Sequence, residues 1–417
     1  MSSQQVVVTG LGALTPVGND RESTWQALLA GTSGIAPITR FDASALPTSI
    51  AGEVKGFDPA ALLDRKRERR SARFSQLAIG AAREAVADAR LTLGGEDGSE
   101  GVDAERVGVV LNNAVAGMDG IEQAVDQMHA DPRTVSPYFV SSVIPNMPAC
   151  EVAIDLGVRG PVTASALACA SGVYALLEAR RLILSGEADV VIAGGTDSAI
   201  TPVMFTGLSN MGALSRRNDD PAAASRPFDA DRDGFVFGEG AVVCVVESAE
   251  HARARGARPY MEVAGGALTS DAFHVSAPDP SGAGAVSAMR KALRASGTEA
   301  RDIDYICAHG TSTRINDLTE TRAIRDVYGA HAYDLAVSSP KSMVGHLIGA
   351  AGALSAMVCA LAIRDGMVPP TINLDTPGEE CDLDYVPNTA RRTEVRGAAV
   401  NAFGFGGQNC VAVLRAV

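Results

Sequence analysis

The chain has 417 residues, 46% hydrophobic and 20% charged, a globular composition with chain enough for two or three domains' worth of core. Its formal net charge of −13 weighs against nucleic acid and anionic membrane as general partners, so an acidic partner would need a local basic patch. The seven cysteines (150, 169, 244, 307, 359, 381, 410) are odd in number and lack a C-x-x-C pair, which argues against a disulfide framework and a zinc site. No apolar run approaches the roughly 20 residues of a membrane span, and the N-terminus has no basic or cleavable apolar leader pattern, so a cytoplasmic location is expected.

Gln5 to Ala13 reads as a buried strand running into a Gly-rich turn, and Thr24 to Leu29 as a short helix ended by Gly31. Its lone G-x-G has no G-x-x-G continuation and is taken as a structural turn. Residues 62–90 are expected to be helical. Their first part, Arg65 to Arg73, holds six basic residues and one acidic one, either a solvated face or a dock for an acidic protein. Leu91 to Asp103 reads as a surface loop, Val107 to Leu111 as a strand, and Ser215 to Gly240 as an ordered polar loop. From Tyr260 the pattern predicts strand 260–265, helix 282–296, strand 303–307, helix 317–328, strand 335–339 and a small-residue helix from Gly345 to Asp365.

Pro161 to Leu177 is an apolar, β-branched run that breaks at small residues and becomes a helix, presenting Cys169 at the helix start. Free amides and the positive dipole end there favour thiolate over thiol. With the strand Gly186 to Gly195 this makes a strand–helix–strand unit of a parallel sheet. Leu335 to His346 and the helix after it repeat the plan, with a histidine where the first copy has its cysteine; two such halves would build one site between them. His309, in Cys307-Ala-His-Gly, also ends a strand, where open α/β sheets bind ligands. Two such histidines, Cys169, Lys341 and Glu320 form a catalytic constellation.

Ala168-Cys-Ala-Ser-Gly, Ala308-His-Gly-Thr-Ser-Thr, Ser339-Pro-Lys-Ser-Met-Val-Gly-His, Asn401-Ala-Phe-Gly-Phe-Gly-Gly-Gln-Asn and Ala224-Ser-Arg-Pro-Phe-Asp together resemble the β-ketoacyl-acyl-carrier-protein synthases of the elongating type, nearly end to end and in order. The resemblance implies an α/β, thiolase-like fold of two interlocked βαβαβαββ halves in five α/β/α/β/α layers, active as a dimer. It divides the chain at 1–252, carrying the cysteine, and 253–417, carrying the histidines. It implies decarboxylative condensation of malonyl-carrier protein with an acyl chain held on Cys169, elongating the chain by two carbons.

By the same resemblance, His309 and His346 serve decarboxylation, and the amides of Cys169 and Phe405 form the oxyanion hole. Lys341 orders the histidines, Glu320 is the buried acid of that network, and Phe405 gates the acylated cysteine. Thr311 and Thr313 bind the phosphopantetheine arm, and Val115, Leu167, Phe139 and Phe403 are acyl-pocket positions. Lys66, Arg69, Arg70, Arg133 and Arg217 dock acyl carrier protein. No metal or resident cofactor is implied. The partners are the carrier protein and either an identical subunit or a chain-length-factor-like one.

Leu167 stands where a small polar residue is usual, Asn113 to Gly117 replaces a more Gly-rich segment, and Gln408 and Pro340 also depart from the pattern. These bear on chain preference, for which medium to long, reduced or polyene-like chains are expected. A fatty-acid synthase and a type II polyketide ketosynthase subunit both fit. A non-catalytic chain-length factor would lack the cysteine, a thiolase would use a late second cysteine as base, and an initiating synthase would carry Cys-His-Asn.

Overall fold

The computed structural model describes residues 5–94 and 101–417. Residues 95–100 of the expected surface loop lie outside these. Ten strands of one sheet are seen among the described residues: β1 (Val6–Leu14), β2 (Val107–Asn112), β3 (Val162–Thr163), β4 (Val190–Asp197), β5 (Gly240–Ser248), β6 (Met261–Ser270), β7 (Tyr305–Cys307), β8 (Ala336–Ser338), β9 (Gly397–Gly404) and β10 (Gln408–Arg415). The helices that matter here are α1 (Arg21–Leu29), α2 (Arg73–Asp88), α3 (Met118–Ala130), α4 (Met147–Leu156), α5 (Ser171–Leu184), α6 (Ala283–Ser296), α7 (Arg314–Tyr328) and α8 (Ala351–Asp365).

The sheet is two five-stranded sets with one pairing plan. In the first, β3 and β4 flank β2 in parallel, β4 pairs antiparallel with β5, and β5 antiparallel with β1. In the second, β8 and β9 flank β7 in parallel, β9 pairs antiparallel with β10, and β10 antiparallel with β6. The sets meet where Val7 and Val8 of β1 pair with Glu262 and Met261 of β6. The expected division between residues 252 and 253 falls inside a short helix, Ala249–Ala254, and the chain reaches the second set only at Met261.

Both faces of each set are covered, which is why the strands read as continuous apolar runs rather than alternating ones. Along β5, Ala241, Val243 and Val245 point to an outer layer with α2 and α4, while Val242, Cys244 and Val246 point to the centre. Along β10, Val411 and Val413 face the outer α6 and α7, and Cys410, Ala412 and Leu414 the centre. The central layer is α5 against α8, giving the five layers expected. The helices cross at Gly172 and Gly352: a Cβ at Gly172 would lie 2.5 Å from the Ala353 nitrogen, and one at Gly352 2.6 Å from the Val173 nitrogen. Ile348–Asp365 is apolar and long enough to cross a membrane, contrary to expectation. It is a core helix with its preceding turn, 83% buried between the two strand sets.

The expected helix over 62–90 is in fact two, Arg65–Glu68 and α2, because the chain turns at 69–72 to let Arg73 reach the buried Glu239. The final helix begins at Ala351 rather than Gly345: the residues before it form two short turns that place His346. Helices α3 and α4 were not foreseen. The repeat also needs a correction of register. Each central helix is preceded by a 3-10 turn, Ala168–Ala170 after Leu167 and Ile348–Ala350 after Leu347. Aligned on these turns, Cys169 matches Gly349, and His346 matches Ala166 rather than the cysteine.

Candidate active site

Cys169 sits in the 3-10 turn that feeds α5, partly exposed. The turn is closed by Ser171, whose hydroxyl accepts the Leu167 amide (2.9 Å) and donates to the Ala168 carbonyl (2.7 Å). The backbone N–H groups of Phe405 and Cys169 itself are aimed at the sulfur. Burial nevertheless dominates and pushes the thiol up to about 11, with Lys341 pulling it down and the Asp197 charge adding to the rise. Desolvation thus works against the expected thiolate and outweighs the amides at the helix start.

His309 leaves the carboxyl end of β7, and its backbone is pinned by Glu320 of α7. The Glu320 carboxylate accepts the amides of His309 and Gly310, both at 2.8 Å, and the Asn401 side-chain amide at 3.0 Å. Burial raises the Glu320 carboxyl, and these three donors oppose the rise. Asn401 lies on β9, so the two strands that flank each other at the site are joined through one acid.

His346 is held by its main chain, its amide donating to the Val236 carbonyl (2.7 Å) and its carbonyl accepting from Gly238 (2.9 Å). Its Nδ1 accepts the Ile348 amide (3.1 Å), which places the ring proton on Nε2. That Nε2 is buried and has no protein partner. The two imidazoles meet edge to face with centroids 5.5 Å apart, Phe403 lying against His309 (5.7 Å) and Phe235 against His346 (5.6 Å). Both are driven well below the ordinary histidine value, by burial first and then by the Lys341 ammonium. They are neutral at pH 7.

Lys341 opens the helical turn Lys341–Val344 and is buried, which lowers its own value against the pull of Cys307 and Glu320. The reactive atoms of Cys169, His309 and His346 all lie within 4.8 Å of one another. That spacing could hold a metal ion, but the donor set does not fit one. His346 Nε2 carries its proton because Nδ1 is occupied, the thiol is protonated, and a lysine adds positive charge. The arrangement offers a nucleophile, two amide donors beside it, and a neutral imidazole N–H facing the same small space.

The other expected positions divide. The Thr311 and Thr313 hydroxyls hydrogen-bond each other at 2.9 Å just beyond His309. Phe405 is 42% exposed beside Cys169. Val115 packs on an apolar cluster of Ile200, Phe205, Phe235, Phe237 and Ile348 next to His346. Leu167, expected in the same wall, turns into the central core instead. Phe139 is half-buried on an outer helix, Phe139–Val143, away from the cluster of the same chain.

The basic patch is smaller than its composition. Arg67 is bound to Asp155 and Arg73 to Glu239. Lys66 and Arg69 are exposed without an acidic partner among the described residues, and Arg70 lies over the Tyr138 ring at 4.2 Å. Arg133 is paired with Asp131 (2.9 Å), and Arg217 donates to the Asp231 carbonyl (3.2 Å). The sequence motif contains Asn401 without giving it a role, and Asp197 was missed; an acid ending an apolar strand was the available signal for the latter.

Residues 3–252 match the model of the beta-ketoacyl synthase N-terminal domain, and residues 260–375 that of the C-terminal domain. The chain belongs to the beta-ketoacyl synthase family. Among these synthases it is 47% identical to 3-oxoacyl-[acyl-carrier-protein] synthase 2 of Coxiella burnetii over 418 residues, covering 100% of both chains. It is 47% identical to the enzyme of the same name from Synechocystis, covering 98% of this chain and 97% of the other. Of solved structures, the ishigamide ketosynthase/chain length factor superposes with a TM-score of 0.91 at 37% identity, over 100% of both chains. A type II PKS acyl-carrier protein in complex with its ketosynthase bound to the hexaketide gives 0.91 at 32%, again over 100% of both. The fold is that of the ketosynthases, and this member of the family is a condensing enzyme of the acyltransferase class.

Proposed function

We propose that this synthase elongates an acyl chain by two carbons, condensing malonyl-acyl-carrier protein with an acyl group held as a thioester on Cys169. The observation that carries the reading is the approach of the thiol and two neutral imidazoles to within 4.8 Å, with two backbone N–H groups on the sulfur. In the first half-reaction the Cys169 thiol attacks the acyl thioester carbonyl. The departing phosphopantetheine sulfur takes the proton that Cys169 gives up, and the amides of Cys169 and Phe405 hold the transient oxyanion. In the second, carbon dioxide leaves malonyl and its electron pair passes into the thioester as an enolate. The His346 Nε2–H and the His309 ring stabilise that oxygen, and the carbon attacks the Cys169 thioester and expels the cysteine sulfur as a thiolate, which takes a proton from solvent to restore the thiol. Glu320 keeps His309 in place, and burial together with the Lys341 ammonium keeps both rings neutral. Thr311 and Thr313 bind the pantetheine arm, and Phe405 covers the acylated cysteine. No step calls on a resident cofactor.

Mass spectrometry after incubation with an acyl-carrier protein tests this: an acyl adduct on Cys169 is expected. An adduct that persists in Cys169→Ala would overturn it.

For partners, the structures just compared include a carrier-protein complex and a ketosynthase/chain length factor, and the exposed Lys66 and Arg69 suit an acidic carrier protein. Charge reversal at both should raise KM for carrier-bound substrate several-fold and flatten its salt dependence, leaving small thioester mimics unaffected. Equal kinetics with carrier-bound substrate would exclude the dock. A dimer is supported by the apolar outer face where Val140, Ile154 and Val162 are exposed, beside the sheet edge at β3. Phe139 starts the helix that carries Val140. A homodimer in the cytoplasm is the first reading; the polyketide pairing is the second, favoured by the first of the solved structures. The mass of the native complex separates the two.

A further inference from the structure

Asp197, the last residue of β4, is fully buried, and among the described residues no arginine or lysine pairs with it. Backbone amides alone fill its oxygens. Oδ2 accepts Gly349 (2.7 Å) and Ala114 (3.0 Å), and Oδ1 accepts Val115 (3.2 Å). Burial raises its carboxyl to about 7 against the pull of those amides. A buried acid without a counter-ion is costly, so what it holds together matters.

The two segments it joins do different work. Gly349 follows Ile348, whose φ of +51° is an outlier for a β-branched residue. The amide of that strained residue fixes the His346 proton on Nε2. Ala114 and Val115 belong to the wall of the apolar cluster beside His346. The segments also touch: a Cβ on Gly349 would meet Asn113 Cα at 2.8 Å and the Ala114 nitrogen at 2.9 Å.

We infer that Asp197 is a positioning residue: it registers the Ala114–Val115 wall of the acyl pocket against the Ile348–Gly349 turn, and so sets which chain lengths Cys169 accepts. The substrate side of this rests on the condensing reading above; the clamp itself does not.

Asp197→Asn keeps the size of the side chain but has one acceptor oxygen. With that oxygen in the Oδ2 place, Gly349 and Ala114 stay bound, while the new NH2 confronts the Val115 amide and releases the wall there. With full-length enzyme, the kcat/KM ratio for palmitoyl- over octanoyl-carrier protein should rise about three- to tenfold, through KM. A parallel fall for both substrates is what a merely structural role gives, and it overturns the inference. Should the variant not fold, amide hydrogen exchange on the unaltered enzyme decides: Ala114, Val115 and Gly349 should open as one slow unit. Fast exchange at Val115 with Gly349 protected overturns the clamp. An unaltered enzyme that acylates Cys169 with neither chain refutes the condensing reading instead, and the exchange measurement still reads the clamp.

Discussion

The 3-10 turns before the two central helices share a backbone: each follows a leucine and each sets a non-glycine residue in the left-handed region, Ala168 at +46° and Ile348 at +51°. Their second positions then diverge. In the first half that position is Cys169, partly exposed with amides on its sulfur. In the second it is Gly349, so tightly enclosed that no side chain fits. The second turn has given up its reactive side chain and uses its amides instead, one to fix the His346 tautomer and one to bind Asp197. The halves are thus one plan put to two uses, the first to bond covalently with the chain and the second to hold a neutral proton donor.

The largest test of that division separates the half-reactions. Cys169→Ala should abolish condensation, a loss of at least about 10³-fold, yet leave malonyl-carrier protein decarboxylation measurable, because the imidazoles keep their positions. His346→Ala should do the reverse, lowering decarboxylation by about 10²–10³-fold while the acyl adduct on Cys169 still forms. Trapped adduct by mass spectrometry and released carbon dioxide read the two separately. Equal loss of both activities in both variants would mean that the turns act as one unit.

A second test concerns the symmetry itself. Gly172 and Gly352 are opposite numbers at the crossing of α5 and α8. Glycine to alanine inside a helix ordinarily gains about 1 kcal/mol. Here the added carbon meets a backbone nitrogen, which cannot move aside as a side-chain tip could, and overpacking costs about 1–3 kcal/mol or more. Overpacking should win at both positions, with a net loss of about 2 kcal/mol, roughly thirtyfold in the folding equilibrium. Denaturant midpoints measure it. A gain at either position would show that the helices are not locked at this crossing.

How much of this was legible beforehand follows from which interactions are local. Cys169 and His309 stood out because strand-ending apolar runs and small-residue turns leave a local pattern, and the five-layer architecture came with the family motifs. The repeat was visible, but its register slipped by three residues. Histidine and cysteine looked like equivalents, whereas the shared feature is a backbone angle at Ala168 and Ile348 that has no side-chain signature. Asp197 was missed for a related reason: its partners Gly349, Ala114 and Val115 lie more than 80 positions away. The basic run shrank because Asp155 and Glu239, which claim Arg67 and Arg73, are distant in sequence.

The last test asks which force governs the thiol. A helix start and two amides argue for an ionised sulfur; burial argues the other way and pushes the group up to about 11. Below that value the thiolate is the minority form and its fraction grows tenfold per pH unit, so at pH 7 about one molecule in 10⁴ carries it. The rate of iodoacetamide alkylation at Cys169 should therefore climb about tenfold per unit from pH 7 to beyond 9, without a plateau. Lys341→Met, which removes the nearby positive charge, should slow alkylation at every pH in that range, since Lys341 holds the thiol lower than burial alone would. A plateau near pH 7 would show that the dipole of α5 and the amides win, and that the resting enzyme carries a thiolate. The neutral thiol suits the division between the turns better. Two neutral imidazoles stand within 4.8 Å of the sulfur, and a standing thiolate there would draw protons onto them. They would then lose the neutral N–H character on which the second half-reaction depends.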